Sequence, residues 1–199
     1  MNSFTYMKYR SKNPFQQLLI RRFFERCASL ISKLEINSVL EVGCGEGFFL
    51  EQLHNRFPHL GLKGSDIDQL AIEYGMQRLP QFKFQIDDVY QLKEDSASFD
   101  LVIASEVLEH LEKPEKALKE INRVSRLHVL LTVPNEPIFQ LCNLARMKYL
   151  KGLGNHPEHV QRWSKSAFKR LISRFFRITS FQTSFPWTIA LAMKFDADP

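Results

Sequence analysis

Short β-rich apolar runs alternate with stretches of helical spacing along most of the chain. Ser38 to Val42 is the first such run and ends in glycines, and a helical pattern follows from about Glu46 to Arg56. Leu62 to Asp66 predicts a second strand, after which Asp68 is placed to cap a helix reaching about Arg78. Phe82 to Ile86 and Phe99 to Ala104 predict the third and fourth strands. Pro114 opens a helix with the apolar stripe Ala117, Leu118, Ile121 and Val124, and Leu127 to Val133 is a fifth, almost wholly apolar strand. Strands alternating with helices build a parallel sheet covered on both faces. The pattern therefore predicts a three-layer α/β/α sandwich.

The two ends of the chain break this rhythm. Near the N-terminus, Asn13 and Pro14 predict a helix start, and Phe15, Leu18, Leu19, Phe23, Ala28 and Ile31 follow helical spacing. Beyond Pro134, Ile138 to Leu150 reads as a helix, Gly152 to Trp163 as a loop, and Ser164 as the cap of a helix through Phe168, Leu171 and Ile172. Two last β-rich runs, Phe176 to Phe181 and Trp187 to Phe195, have no helix between them, which predicts an antiparallel hairpin at the sheet edge. No repeat or Gly/Ser linker marks a boundary, so residues 1–199 are expected to form one domain.

Composition narrows the function classes. A chain of 199 residues that is 44% hydrophobic, with 17 Phe, can bury a sizeable core, which excludes a disordered polymer and a disulfide-stapled mini-protein. Cys27, Cys44 and Cys142 are odd in number and widely spaced, so neither a zinc finger nor a disulfide framework is expected, and a reducing cytoplasm is the expected setting. The first residues lack the apolar core of a signal peptide, and the longest uncharged run, Ile178 to Met193, is too short and polar to span a bilayer. The net charge of +5 is unevenly spread: an acidic middle lies between two basic flanks, one carrying Lys8, Arg10, Lys12, Arg21 and Arg22, the other Arg146, Lys148, Lys151 and Arg162.

The chemistry concentrates in Glu41-Val-Gly43-Cys44-Gly45-Glu46-Gly47. Three of the eight glycines of the chain stand here between a strand and a helix, more than one tight turn is expected to need. Glycine admits a ligand close to the backbone, and the helix N-terminus offers free N–H groups. A dinucleotide fingerprint would place its third glycine at the position of Phe48, and Glu41 would repel a pyrophosphate. A ligand with a cationic end fits better.

This stretch resembles motif I of the class I S-adenosylmethionine-dependent methyltransferases, especially the small enzymes grouped with the ubiquinone-biosynthesis methyltransferases. The resemblance extends in order and spacing over roughly residues 36 to 135, through Asp66, Asp88, the run Phe99 to Leu111 and the run His128 to Pro134. It implies a Rossmann-like fold with a mostly parallel seven-stranded sheet and S-adenosyl-L-methionine as cofactor. It further implies that Glu41, Gly43, Cys44, Gly45 and Gly47 contact the methionine part, Asp66 with Ile67 the ribose side, Asp88 with Val89 the adenine, and that Ser105 borders the methyl. Residues 1–35 become a helical cap, 36–135 the cofactor core, and 136–199 the acceptor side with the hairpin.

Glu106, His110 and His159 are the candidate catalytic residues, as groups able to orient or deprotonate an acceptor. If Glu106 begins a helix, Glu109 and His110 lie on the same face. A related Glu-x-x-Glu-His pattern binds metal in small-RNA 3′-end methyltransferases, with a downstream His that His156 or His159 would supply. The same string occurs without metal in ordinary class I enzymes, so no metal is assigned. Converging basic flanks imply an anionic small-molecule or lipid-linked acceptor, with RNA as the alternative. A dinucleotide-dependent oxidoreductase and a non-catalytic scaffold are the remaining competitors.

Overall fold

A computed structural model describes residues 13–135 and 160–195. Its elements, numbered among these residues, begin with α1 (Pro14–Ile31), which Asn13 caps by accepting the Phe15 N–H at 2.9 Å. Then follow β1 (Ser38–Val42), α2 (Phe48–Arg56), β2 (Gly61–Asp66), α3 (Gln69–Arg78), β3 (Lys83–Ile86), β4 (Phe99–Ser105), α4 (Pro114–Val124) and β5 (Ser125–Pro134). The series closes with α5 (Lys165–Ile172), β6 (Arg177–Ser184) and β7 (Trp187–Met193). The helix expected at 138–150 and most of the loop expected at 152–163 lie outside the described residues.

The seven strands form one sheet in the order β3-β2-β1-β4-β5-β7-β6. The first five run parallel, and β7 enters antiparallel to β5 with Pro134 opposite Trp187. The terminal hairpin thus sits at the edge where the chain pattern put it, with Thr183 opposite Thr188. Its turn stands beside the carboxyl end of β5.

Strand side chains alternate between two packed layers, as a pleat with period two requires. Val39, Leu101, Ile103, Leu130 and Ile189 face α1 and α2, where Phe23 lies 4.9 Å from the Trp187 ring and 6.3 Å from Phe49. Leu40, Val102, Ala104, Leu131 and Ala190 face α4 and α5, meeting Leu118, Ile121, Phe168 and Ile172. This is the three-layer α/β/α sandwich expected. The strand order reverses between β1 and β4, and in open α/β sheets ligands bind at such a switch point.

Candidate cofactor and active site

The turn after β1 is built from three residues in the left-handed region, Gly43 at φ 68°, Gly45 at 52° and Gly47 at 76°. A Cβ on Gly43 would stand 2.4 Å from Val107 Cγ2, and one on Gly47 would stand 2.7 Å from the Phe84 ring. This corrects the expectation that a tight turn needs only one glycine. Backbone conformation and packing demand all three, so their number is not in itself evidence of a ligand.

The case for a ligand rests on the acids around the turn. Glu41 is 3% exposed; its carboxyl takes a Leu50 backbone N–H, and its Oε2 has no hydrogen-bond partner. Burial first, and the nearby charge of Asp66 second, push this carboxyl well above the usual carboxylate range. Asp66, at the end of β2, accepts the Gly45 N–H at 2.7 Å on one oxygen and the Asp68 N–H at 2.9 Å on the other. A carboxylate has about four acceptor sites, so two remain for a ligand's hydroxyls. Asp68 itself is spent as the cap of α3, accepting from Leu70 at 2.9 Å and Ala71 at 3.3 Å. Ile67 is 71% exposed beside Asp66, an apolar surface on the rim that a flat ring can cover. Cys44 is buried against Gly64 of β2, so only its backbone faces the turn, and burial with Glu41 and Asp66 nearby pushes its thiol up.

At the end of β3 the two adjacent acids divide their roles. Asp87 is buried and committed to structure: it accepts from Gln85 Nε2, the Asp88 N–H and the Lys93 N–H. Asp88 is exposed, and its carboxylate accepts the Tyr90 N–H at 2.8 Å on one oxygen, which leaves acceptor capacity for a ligand. Val89 beside it is half-buried and packs on the α4 side of the core.

The loop that carries Asp88 is held from α4 by two residues that sequence reading missed. Arg123 donates to the Leu92 and Glu94 carbonyls, both at 2.7 Å, while Glu120 accepts the Leu92 N–H and pairs with Arg123. The only signal along the chain is a Glu-x-x-Arg pair on the polar face of a helix, which is ordinary in solvated helices.

After β4 the structure departs from expectation. Glu106 does not begin a helix: it sits at φ 58°, and only a single 3-10 turn, Leu108–His110, follows. Glu109 is consequently buried at 1% exposure while His110 is exposed, so Glu106, Glu109 and His110 do not share a face. A 3-10 turn repeats every three residues and is too short to stack i with i+4. Among the described residues no cluster of His, Cys, Asp and Glu suits a metal. Ser105 and Thr132 join β4 to β5 through their hydroxyls, 3.2 Å apart, and Glu106 donates its N–H to the Thr132 carbonyl. A non-glycine residue with positive φ at a strand end is a local strain of the kind found at functional sites. His159 lies outside the described residues, as does His156, but Val160 and Gln161 both donate to the Glu109 carbonyl at 2.9 Å.

These groups stand on one edge because the strands are in register: Val42 opposes Ser65 and Ala104, and Asp66 opposes Ile86. Glu41, Asp66, Asp88 and Glu106 therefore line the carboxyl ends of four neighbouring strands. A buried carboxyl with one unpartnered oxygen, a carboxylate with spare acceptor sites and an exposed apolar rim fit a ligand with a cationic end, a ribose and a ring. They do not fit a pyrophosphate.

The Glu41 carboxyl gives a pH prediction. The native chain keeps its proton above the ordinary glutamate pKa of about 4.3, where the unfolded chain has lost it, so ligand-free stability falls as pH rises through that window. Glu41→Gln removes the term. The variant is expected to melt a few degrees above the parent at pH 8 and level with it at pH 4, since about 1 kcal/mol moves Tm by 2–4 °C at this size. A parent that instead gains on the variant as pH rises would contradict the assignment.

Comparison with known proteins gives a consistent picture. Residues 39–127 match a family model described as a methyltransferase domain. The chain is 26% identical over 155 residues to the ubiquinone biosynthesis O-methyltransferase of Coxiella burnetii, covering 67% of this chain and 64% of that protein. It is 27% identical over 122 residues to the trans-aconitate 2-methyltransferase of Variovorax paradoxus, covering 60% of this chain and 44% of that one. The chain thus spans less than two-thirds of the length of these relatives. In fold it resembles the plantazolicin methyltransferase BpumL, solved with a triazolic desmethylPZN analog and SAH, at TM-score 0.72 and 17% identity over 96% of this chain and 90% of that one.

Proposed function

We propose that the chain is a class I S-adenosylmethionine-dependent methyltransferase that transfers a methyl group from S-adenosyl-L-methionine to a small-molecule or lipid-linked, anionic acceptor, a reading that the match of residues 39–127 to a methyltransferase domain supports. The single observation that carries the reading is the row of acids at the carboxyl ends of β1 to β4 in the order of that family's motifs. Bound there, the sulfonium supplies an activated methyl, and alignment supplies most of what such a displacement needs. Asp66 would hold the ribose hydroxyls and Asp88 the adenine amino group. The Glu41 carboxyl would face the methionine ammonium. Ser105 and Glu106 border the acceptor side, with His110 at its exposed margin.

The anionic character of the acceptor is supported by α1. Arg21, Arg22 and Arg26, with Glu25 among them, line a cleft against Thr183, Ser184 and Phe185 of the hairpin turn. That turn stands beside the end of β5, on the same edge of the sheet as the acids. The curated relatives bear the names of a quinone-pathway and a trans-aconitate methyltransferase, acceptors of the small-molecule class.

The test is transfer of labelled methyl from S-adenosylmethionine to a panel of aromatic hydroxyacids, dicarboxylates and prenylated phenols. Label is expected in an anionic or lipid-linked member, with Glu106→Gln lowering kcat and leaving cofactor affinity within about twofold. Cofactor binding without label in any member, but with label in RNA, would replace this reading by the RNA-modifying alternative.

A further inference from the structure

Helix α5 presents a face that the methyl-transfer site does not use. Residues 160–195 include Arg162, Lys165, Lys169, Arg170, Arg174, Arg177 and Lys194 but no Asp or Glu. Ser166, Lys169, Arg170, Ser173 and Arg174 line one shallow depression at helical spacing, and all of them are exposed. Across the whole described surface, the one acid paired with this stripe is Glu115, 3.6 Å from Arg174, with both side chains largely in solvent. So exposed a pair is weak and does not neutralise the stripe.

We infer that this face of α5 is a docking surface for the phosphodiester backbone of a nucleic acid, with single-stranded RNA as the probe. A bilayer is the poorer match. A helix that binds a membrane must bury its apolar side in lipid, but here Phe168, Leu171 and Ile172 are spent in the protein core at 0–8% exposure. What remains outward is cationic and hydroxylic, suited to phosphate oxygens. The neighbouring rings are half-buried, each with a cation of the stripe beside it: Lys169 stands 5.9 Å from the Phe181 centroid and Arg174 stands 5.6 Å from Phe175. Bases therefore find little aromatic surface to stack on, and the face reads backbone charge without sequence preference. From Lys165 to Arg174 the stripe is about 13 Å long, enough for three or four phosphate contacts. Arg162 stands just before the stripe in the chain, beside the segment that bonds to the Glu109 carbonyl. The inference rests on the charge of one face and does not require methyl transfer.

The experiment is fluorescence anisotropy of a labelled 20-nucleotide single-stranded RNA with the intact protein between 50 and 200 mM NaCl, conditions in which phosphate contacts show as salt dependence. Binding is expected, with log K falling against log salt at a slope of roughly −2 to −3, about −0.7 for each contact. Uridine and adenosine polymers should bind within about twofold of each other. The triple variant Lys169→Glu, Arg170→Glu, Arg174→Glu should weaken binding at least tenfold and flatten the slope. Lys33→Glu, Arg56→Glu, Lys83→Glu makes the same change in net charge elsewhere and should stay within threefold. S-adenosylhomocysteine affinity and thermal midpoint report that both variants remain folded. Equal weakening by the two triples, no RNA binding at 50 mM NaCl, or capture by 3:1 phosphatidylcholine–phosphatidylglycerol vesicles in place of RNA would each overturn the inference.

Discussion

Asp66→Ala is expected to weaken S-adenosylhomocysteine binding by at least about 100-fold. Hydrogen bonds to a charged acceptor contribute about 1.5–3 kcal/mol each, and the two free acceptor sites of this carboxylate match the two hydroxyls of a ribose. At 1.4 kcal/mol per tenfold, two such bonds account for two decades or more. The variant also releases the Gly45 and Asp68 N–H groups that the carboxylate holds in the free protein, so part of the loss is structural. Asp66→Asn separates the parts, because it keeps an acceptor for Gly45 while removing the charge, and it should fall between parent and Ala variant. Calorimetric titration of the three proteins, with melting curves as the folding check, decides the matter. Parent-like affinity in the Ala variant would remove Asp66 from the site.

Gly43→Ala should be the most damaging of the small changes, for a reason that has little to do with the ligand. Its φ of 68° costs a non-glycine residue about 1–2 kcal/mol, and the new methyl would meet Val107 Cγ2 at 2.4 Å. Overpacking of this kind adds typically 1–3 kcal/mol. A total loss of roughly 2–5 kcal/mol is expected in denaturant unfolding, together with a displaced turn and weaker cofactor binding. Val107→Ala in the same chain should restore the packing part and leave the backbone part. Strictly additive losses in the double variant would mean that Val107 is not what confines Gly43.

The same two residues mark where the sequence could be read and where it could not. Helices with side-chain caps were legible to the residue: Asn13 before Pro14, Asp68 before Gln69 and Ser164 before Lys165 all cap as their chemistry requires. Parallel strands were legible because buried β-branched runs have few other uses. The segment after β4 was not. Glu106 to His110 has the composition of a helix start, but the Glu106 backbone takes a positive φ, a tertiary constraint that no local pattern carries. The glycine turn was over-read for the converse reason. The three left-handed conformations are a tertiary outcome that composition does not show, and the Val107 and Phe84 contacts come from distant parts of the chain. Of the two acids at 87 and 88, the choice of Asp88 for the ligand accords with Asp87 being absorbed by the loop, although the absorbing Lys93 amide was invisible in sequence.

Among the described residues no helix is long and apolar enough to cross a membrane. The acidic sheet edge and the basic face of α5 place opposite charges on different parts of the chain. The first suits a cationic cofactor and the second an anionic partner, a separation hidden in the net charge of +5.

The most direct test of the central claim is calorimetric titration of the purified chain with S-adenosylhomocysteine, with NADH as the comparison ligand. The account predicts one site per chain at micromolar affinity for the first and no measurable heat for the second. Folded protein that gives no heat with S-adenosylhomocysteine, or that binds NADH as well, would contradict it.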